Sequence, residues 1–183
     1  VAVITLGRSG GENYENGYLP FTVTEIEMVK NVCEVYHAAG KKVVVVLNVG
    51  DVCETAGWRD FPDAILMAWQ PGQEGGNVVA EILKGTVNPS GKLPDSFPLK
   101  YEDVPSASVF PGEPAENPIN SYYKEGIYVG YRYYDSFKIP VAWEFGYGLS
   151  YTTFEYSELK LSSNQFSEKL EVKVKGSMIV PPV

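Results

Sequence analysis

With one histidine and two cysteines in 183 residues, the chain has no zinc cluster and no convincing Ser-His-Asp set. The cysteines, Cys33 and Cys53, are too few for a disulfide framework and read as buried free thiols. His37 stands at the end of an expected helix, ahead of Gly40, where its charge would complement the helix dipole. Basic residues are scarce: 15 Lys and Arg face 23 Asp and Glu, a net charge of −8. Phosphate recognition rests on cations, so this balance argues against nucleic acid and against an anionic membrane surface. No apolar run approaches the roughly 20 residues needed to cross a bilayer. The chain opens within an apolar run rather than on a basic-then-apolar leader, so no signal peptide is expected there. Nucleotide-binding signatures are missing too. Gly7, Gly10 and Gly11 do not make the G-x-G-x-x-G spacing, and no Gly-Lys pair is followed by Ser or Thr.

What the chain has is aromatic and apolar material: 13 Tyr, 8 Phe and 3 Trp within a hydrophobic share of 44%. That share is ordinary for a globular protein with a sizeable core. Val1-Ala2-Val3-Ile4-Thr5-Leu6 reads as a strand buried on both faces, as in a parallel sheet. Gly7-Arg8-Ser9-Gly10-Gly11-Glu12-Asn13 follows at its carboxyl end, where open α/β sheets hold their ligands. The loop carries a carboxylate, Glu12. Thr22 and Thr24, each with Glu three residues on, mark the start of a helix whose inward face is Ile26, Val29, Cys33 and Tyr36. Gly40 ends it. Val43–Leu47 shows no alternation and reads as a central strand.

Ala64–Trp69 reads as a third buried strand. Pro71–Gly76 is a strand-to-helix turn, with Glu74 favourably placed for the dipole of a helix that turns Val78, Val79, Ile82 and Leu83 inward. The order β-α-β-loop-β-α predicts an α/β fold, a three-layer αβα sandwich with a mostly parallel sheet. Seven prolines from Pro89 to Pro118 then mark an irregular excursion. Aromatics crowd between Tyr122 and Tyr134, and their alternation suggests a packed strand or loop. Thr152–Leu161 and Leu170–Val174 alternate as the opening strands of an antiparallel β module. Gly176-Ser177-Met178 and the apolar tail read as a junction.

Four stretches resemble one known family. Ala64–Gly76, Asn88–Pro98, Tyr123–Asp135 and Phe145–Thr152 occur in the order seen in the carboxy-terminal α/β sandwich domain of glycoside hydrolase family 3. The likeness covers residues 1 to about 157. It implies a retaining, exo-acting enzyme of the β-glucosidase or xylosidase type, with no metal or organic cofactor. In many members a Ser-Gly-Glu-Gly loop carries the general acid/base. Ser9-Gly10-Gly11-Glu12-Asn13 is similar, with one extra glycine and Asn where glycine is usual. The resemblance therefore implies Glu12 as acid/base, with Glu15 as the fallback; Arg8 and Asn13 are candidate substrate-binding residues, and Arg8 is also placed to orient the loop or pair with Glu12. The family's nucleophile is an aspartate on a separate (β/α)8 barrel, which this sequence does not encode. The expectation is thus a fragment of a larger enzyme, inactive alone, whose partners are that barrel and a β-linked oligosaccharide or glycoside. Residues 1–150 form the sandwich part, lacking its first portion, and 151–183 the start of a fibronectin-type-III-like module or a tail. Two rivals stand beside this reading: a non-catalytic carbohydrate-binding module that holds sugar on the aromatic cluster, and an interaction module that docks through a sheet edge or aromatic face.

Overall fold

The computed structural model describes residues 1–8 and 20–179. It is a mixed α/β fold whose first body comprises residues 1–80 and 92–147. Strand β1 (Ala2–Gly7), strand β2 (Val43–Asn48) and strand β3 (Ala64–Met67) form a parallel sheet in the order β1-β2-β3. Residue Ile4 lies opposite Val45, and Val45 opposite Ile65. The central place expected for Val43–Leu47 is observed: Val43, Val45, Val46 and Leu47 are all buried. Continuous β-branched residues suit a strand with neighbours on both edges and cover on both faces.

Helix α1 (Val23–Ala38) links β1 to β2. It starts where the Thr22–Glu25 pattern predicts: the Thr22 hydroxyl accepts from the Glu25 backbone N–H, and the Glu25 carboxylate accepts from that of Thr22. Such reciprocal capping satisfies donors that the first turn leaves open. Val29 and Cys33 are buried, with Ile26 and Tyr36 packed against the same core. Gly40, at φ +66°, turns the chain out of the helix end, a conformation glycine adopts without Cβ strain.

Three expectations about the sheet and its helices need correction. β1 is not buried on both faces. Ile4 and Leu6 face the core while Val3 is 51% exposed, because β1 has one covered face and, among the described strands, lies at the edge of the sheet. β3 stops at Met67, and its residues are half-buried or exposed because it forms the other edge among the described strands. In helix α2 (Gly75–Leu83), Val79 and Ile82 are half-buried but Val78 and Leu83 are exposed, so only part of its apolar stripe is covered.

The connector between β2 and β3 contributes Val49, Cys53 and Trp58 to the core. Beyond the proline-rich stretch, strand β4 (Phe97–Pro98) pairs antiparallel with strand β5 (Val141–Trp143). This pair is bound to the connector through buried Thr55, whose hydroxyl accepts from Trp143 Nε1 at 2.8 Å. Arg59 adds a hydrogen bond from Nη1 to the Ala142 carbonyl and lies over the Trp143 ring. The expected strand or loop in the Tyr122–Tyr134 region is in part helix α3 (Tyr131–Phe137). Its aromatic spacing resembled alternation because the helix is only seven residues long, bounded by positive φ at Gly130 and Lys138.

The second body comprises residues 81–91 and 148–179 of the described chain. Strand β6 (Thr153–Leu161) pairs antiparallel with strand β7 (Val172–Ile179). Phe154 lies opposite Met178, Tyr156 opposite Gly176 and Leu161 opposite Val172. Alternation puts Val174 on that same face, and every large apolar side chain on it is exposed. Glu155, Ser157, Lys173 and Lys175 occupy the other. Gly176–Met178 lies inside β7, and the Tyr156 ring comes to 3.6 Å from where a Gly176 Cβ would sit, an ordinary van der Waals contact. Asn88 braces the start of this body: its Oδ1 accepts from Ser150 Oγ and the Tyr151 backbone N–H.

Candidate functional site

Parallel strands direct their carboxyl ends to one edge of a sheet, and open α/β architectures gather their ligands at that edge. Here it brings together Gly7 and Arg8 at the end of β1, Asn48 to Asp51 at the end of β2, and Ala68 to Gln70 after β3. The Arg8 backbone N–H donates to Asn48 O at 3.1 Å, and that of Ala68 to Leu47 O at 2.9 Å. Gln70 lies across Gly50 so closely that a Cβ there would meet its Nε2 at 2.7 Å.

Glu12, Asn13 and Glu15 lie outside the described residues. Arg8 is described. Its guanidinium forks the Glu25 carboxylate, Nη1 to Oε1 and Nη2 to Oε2, both at 2.7 Å. Nη1 also donates to Gly7 O at 2.9 Å, and the guanidinium carbon sits 4.7 Å from the centroid of the Phe21 ring. Among the described residues, Arg8's ion-pair partner is therefore Glu25. Hydrogen bonding from Arg8, reinforced by Thr22 against a smaller opposing effect of burial, draws the Glu25 pKa down to about 2. The sequence marked Glu25 as a capping residue. It carried no sign of the fork, because the partner is 17 positions away.

The amino edge of the sheet holds a different cluster. Asp63 accepts from Lys42 Nζ at 2.6 Å, His37 Nε2 at 2.8 Å and the Val43 backbone N–H at 2.8 Å. These hydrogen bonds hold the Asp63 carboxyl well below the usual carboxylate range. His37 thus has a carboxylate partner as well as its place in the last turn of α1. The shallow recess beside it, lined by Gly40 and Lys41, opens on the edge away from Arg8. Such a saturated set of charges suits structure better than catalysis. Both cysteines are buried and free as expected, and burial pushes the Cys53 thiol up to about 12. Among the described residues no group of His, Cys, Asp and Glu is placed to hold a metal ion, and no helix is long and apolar enough to cross a membrane.

The aromatic cluster is half-packed and half-open. Tyr131 stacks on Phe145 at 4.7 Å, and Tyr128 stands edge-on to Phe137 at 4.9 Å. Tyr134 is buried, yet Tyr123 is 84% exposed and one edge of the cluster remains accessible.

Comparison with known proteins converges on one family. A model described as the glycosyl hydrolase family 3 C-terminal domain matches residues 1–131. The chain is similar to beta-glucosidase B of Emericella nidulans, 40% identical over 161 residues, covering 84% of this chain and 18% of that protein. It is similar to an exo-alpha-(1->6)-L-arabinopyranosidase of Bifidobacterium breve, 42% identical over 144 residues, covering 79% and 18%. Its fold is similar to that of beta-glucosidase 3B from Thermotoga neapolitana solved with glucose: the TM-score is 0.86 at 40% identity, over 99% of this chain and 30% of that one. The chain thus spans about a fifth of the length of the curated relatives it matches.

Proposed function

Because the chain belongs to the glycosyl hydrolase family 3 C-terminal domain family, we propose that it is the α/β part of a retaining, exo-acting, β-glucosidase-like enzyme and supplies the general acid/base. Glu12 is that group, with Glu15 second in line. The observation that carries the reading is where β1 ends. Its last residue delivers Arg8 to the carboxyl edge of a parallel sheet, beside the exits of the other two strands, and Glu12 follows four positions on.

In the complete enzyme Glu12 protonates the glycosidic oxygen as the aglycone departs, then takes a proton from the water that releases the sugar. The nucleophile is an aspartate on a (β/α)8 barrel outside this chain. A retaining mechanism needs the two carboxyl groups about 5–5.5 Å apart, so this chain alone turns over no substrate. With Arg8 committed to Glu25, substrate contact at this edge falls to Asn13 and to the barrel. Relatives named for a β-glucosidase and for an α-L-arabinopyranosidase match this chain almost equally well, which supports placing sugar selection outside it. Residues 1–150 make up the sandwich part. Residues 151–183 begin a fibronectin-type-III-like module, a reading supported by the uncovered apolar face of β6 and β7.

The experiment is Glu12→Ala in the full-length protein. The expected result is a large loss on alkyl β-glucosides, a small loss on dinitrophenyl β-glucoside, and azide rescue with the activated substrate. Equal loss on both substrates refutes the acid role. The open edge of the aromatic cluster favours one second reading, a non-catalytic sugar-binding module. Titration of the chain with cello-oligosaccharide, followed by tryptophan fluorescence, supports that reading only if it saturates.

A further inference from the structure

Glu125, Gly126, Ile127 and Tyr128 form a tight turn in the first body. The Tyr128 backbone N–H donates to Glu125 O at 3.0 Å, and Gly126 stands at φ +58°. The turn is inside out. The Glu125 carboxylate oxygen Oε2 is shut away from solvent and, among the described residues, has no hydrogen-bond partner. At the tip, a place that polar residues and glycine usually take, Ile127 is 73% exposed. Ile119, Tyr123 and Val129 are exposed as well. The neighbouring cation, Lys124, lies over the Tyr122 ring, its Nζ 5.6 Å from the centroid.

An enclosed acceptor without a donor is unfavourable, and native proteins keep few of them. A bare apolar patch usually marks a contact surface. One event relieves both: a partner that covers the isoleucines and tyrosine and brings a cationic donor to the carboxylate. Glu125 as a whole is half-buried, so rotation about its own side-chain bonds carries Oε2 to the surface, where a donor meets it. A guanidinium suits the place, because it is weakly hydrated, lies flat on tyrosine rings and forks a carboxylate. A second copy of the chain is a poor occupant, since it brings a further net charge of −8 to an acidic turn. The chain spans 18% to 21% of its curated relatives and 30% of a solved one. Most of any such protein is therefore polypeptide outside it.

We propose that the Glu125–Tyr128 turn is the seat on which the (β/α)8 barrel of the complete enzyme docks, through apolar side chains set around an arginine that pairs with Glu125. The proposal rests on the reading of the chain as part of a barrel-bearing enzyme. It is independent of which residue donates the proton.

The test uses the full-length protein with p-benzoylphenylalanine in place of Ile127. Irradiation, digestion and mass spectrometry are expected to show this position joined to a barrel peptide of the same molecule. Capture of residues within 1–183, of a second copy or of added cello-oligosaccharide overturns the proposal, and so does the absence of any cross-link. Hydrogen exchange gives a second reading. In full-length Ile127→Asp, the amides of residues 122–129 are expected to exchange at least about 10-fold faster than in wild type, with those of β2 unchanged. Equal rates at 122–129 overturn the docking; should Ile127→Asp disturb β2 too, the cross-link decides. An arginine in the captured peptide is then replaced by Ala, alone and together with Glu125→Ala. A shared pair predicts that the double variant exchanges no faster than either single one. Additive effects, or a captured peptide without arginine, overturn the pairing. If Glu12→Ala shows no difference between activated and unactivated glucosides while the barrel cross-link forms, the acid/base assignment falls and the docking stands.

Discussion

Replacing Glu25 by Gln gives a stability prediction whose pH dependence can be worked out in advance. The carboxyl falls from 4.5 to about 2 on folding, chiefly because Arg8 hydrogen-bonds to its charged form. In a fully shielded pair that difference would correspond to ~3 kcal/mol. The side chains of Arg8 and Glu25 are 20% and 26% exposed, so solvent screening reduces it to ~1–2 kcal/mol. The sign follows from linkage. A carboxyl with a depressed folded-state pKa stabilises fully above its unfolded value and loses that contribution as pH falls through the folded one. Urea denaturation of the 183-residue chain, read by tryptophan fluorescence, is expected to show wild type ahead of Glu25→Gln by ~1–2 kcal/mol at pH 7. The gap is expected to begin closing below about pH 4.5 and to be under about half by about pH 3. Arg8→Met should produce the same loss, and the double variant little more, because either change breaks one shared fork. A gap that is absent at neutral pH, or that stays constant down to about pH 3, refutes the reasoning.

Three other outcomes follow from particular contacts. Gly75→Ala places a Cβ 2.5 Å from Pro71 Cγ; the ring cannot give way freely, so overpacking outweighs the helix gain and unfolding shifts by ~1 kcal/mol toward instability, and an equally stable variant contradicts this. Cys33 and Cys53 are 2% exposed and the Cys53 thiol is pushed up to about 12, so iodoacetamide at about pH 8 should label neither in the native chain and both in urea, as mass spectrometry would reveal. Replacing Phe154 and Val174 by Lys and Glu on the open face of β6–β7 should lower concentration-dependent self-association in sedimentation velocity, and unchanged association would show that this face is not the adhesive one.

What could be read from the sequence was mostly local. The Thr22–Glu25 cap, the Val29–Cys33 face of α1 and the buried run of β2 each depend on residues a few positions apart, and each is present. The misreadings arise where a neighbour distant in sequence decides. Val1–Leu6 has the composition of a doubly covered strand, but edge position is a property of the sheet rather than of the strand. The Tyr-rich α3 has strand-like residues, yet its two ends are set by positive φ at Gly130 and Lys138. For the site, the glycine-rich exit of β1 was enough to locate the carboxyl edge. The Arg8–Glu25 fork and the Asp63 cluster, spanning 17 and 21 to 26 positions, leave no mark on either local stretch.

β1 has a single hydrogen-bonded neighbour among the described strands. Its outer row of amide and carbonyl groups therefore runs along an apolar ribbon with no lysine or proline to discourage a visitor. Left bare, such a border is a template on which an extended peptide can lay itself down.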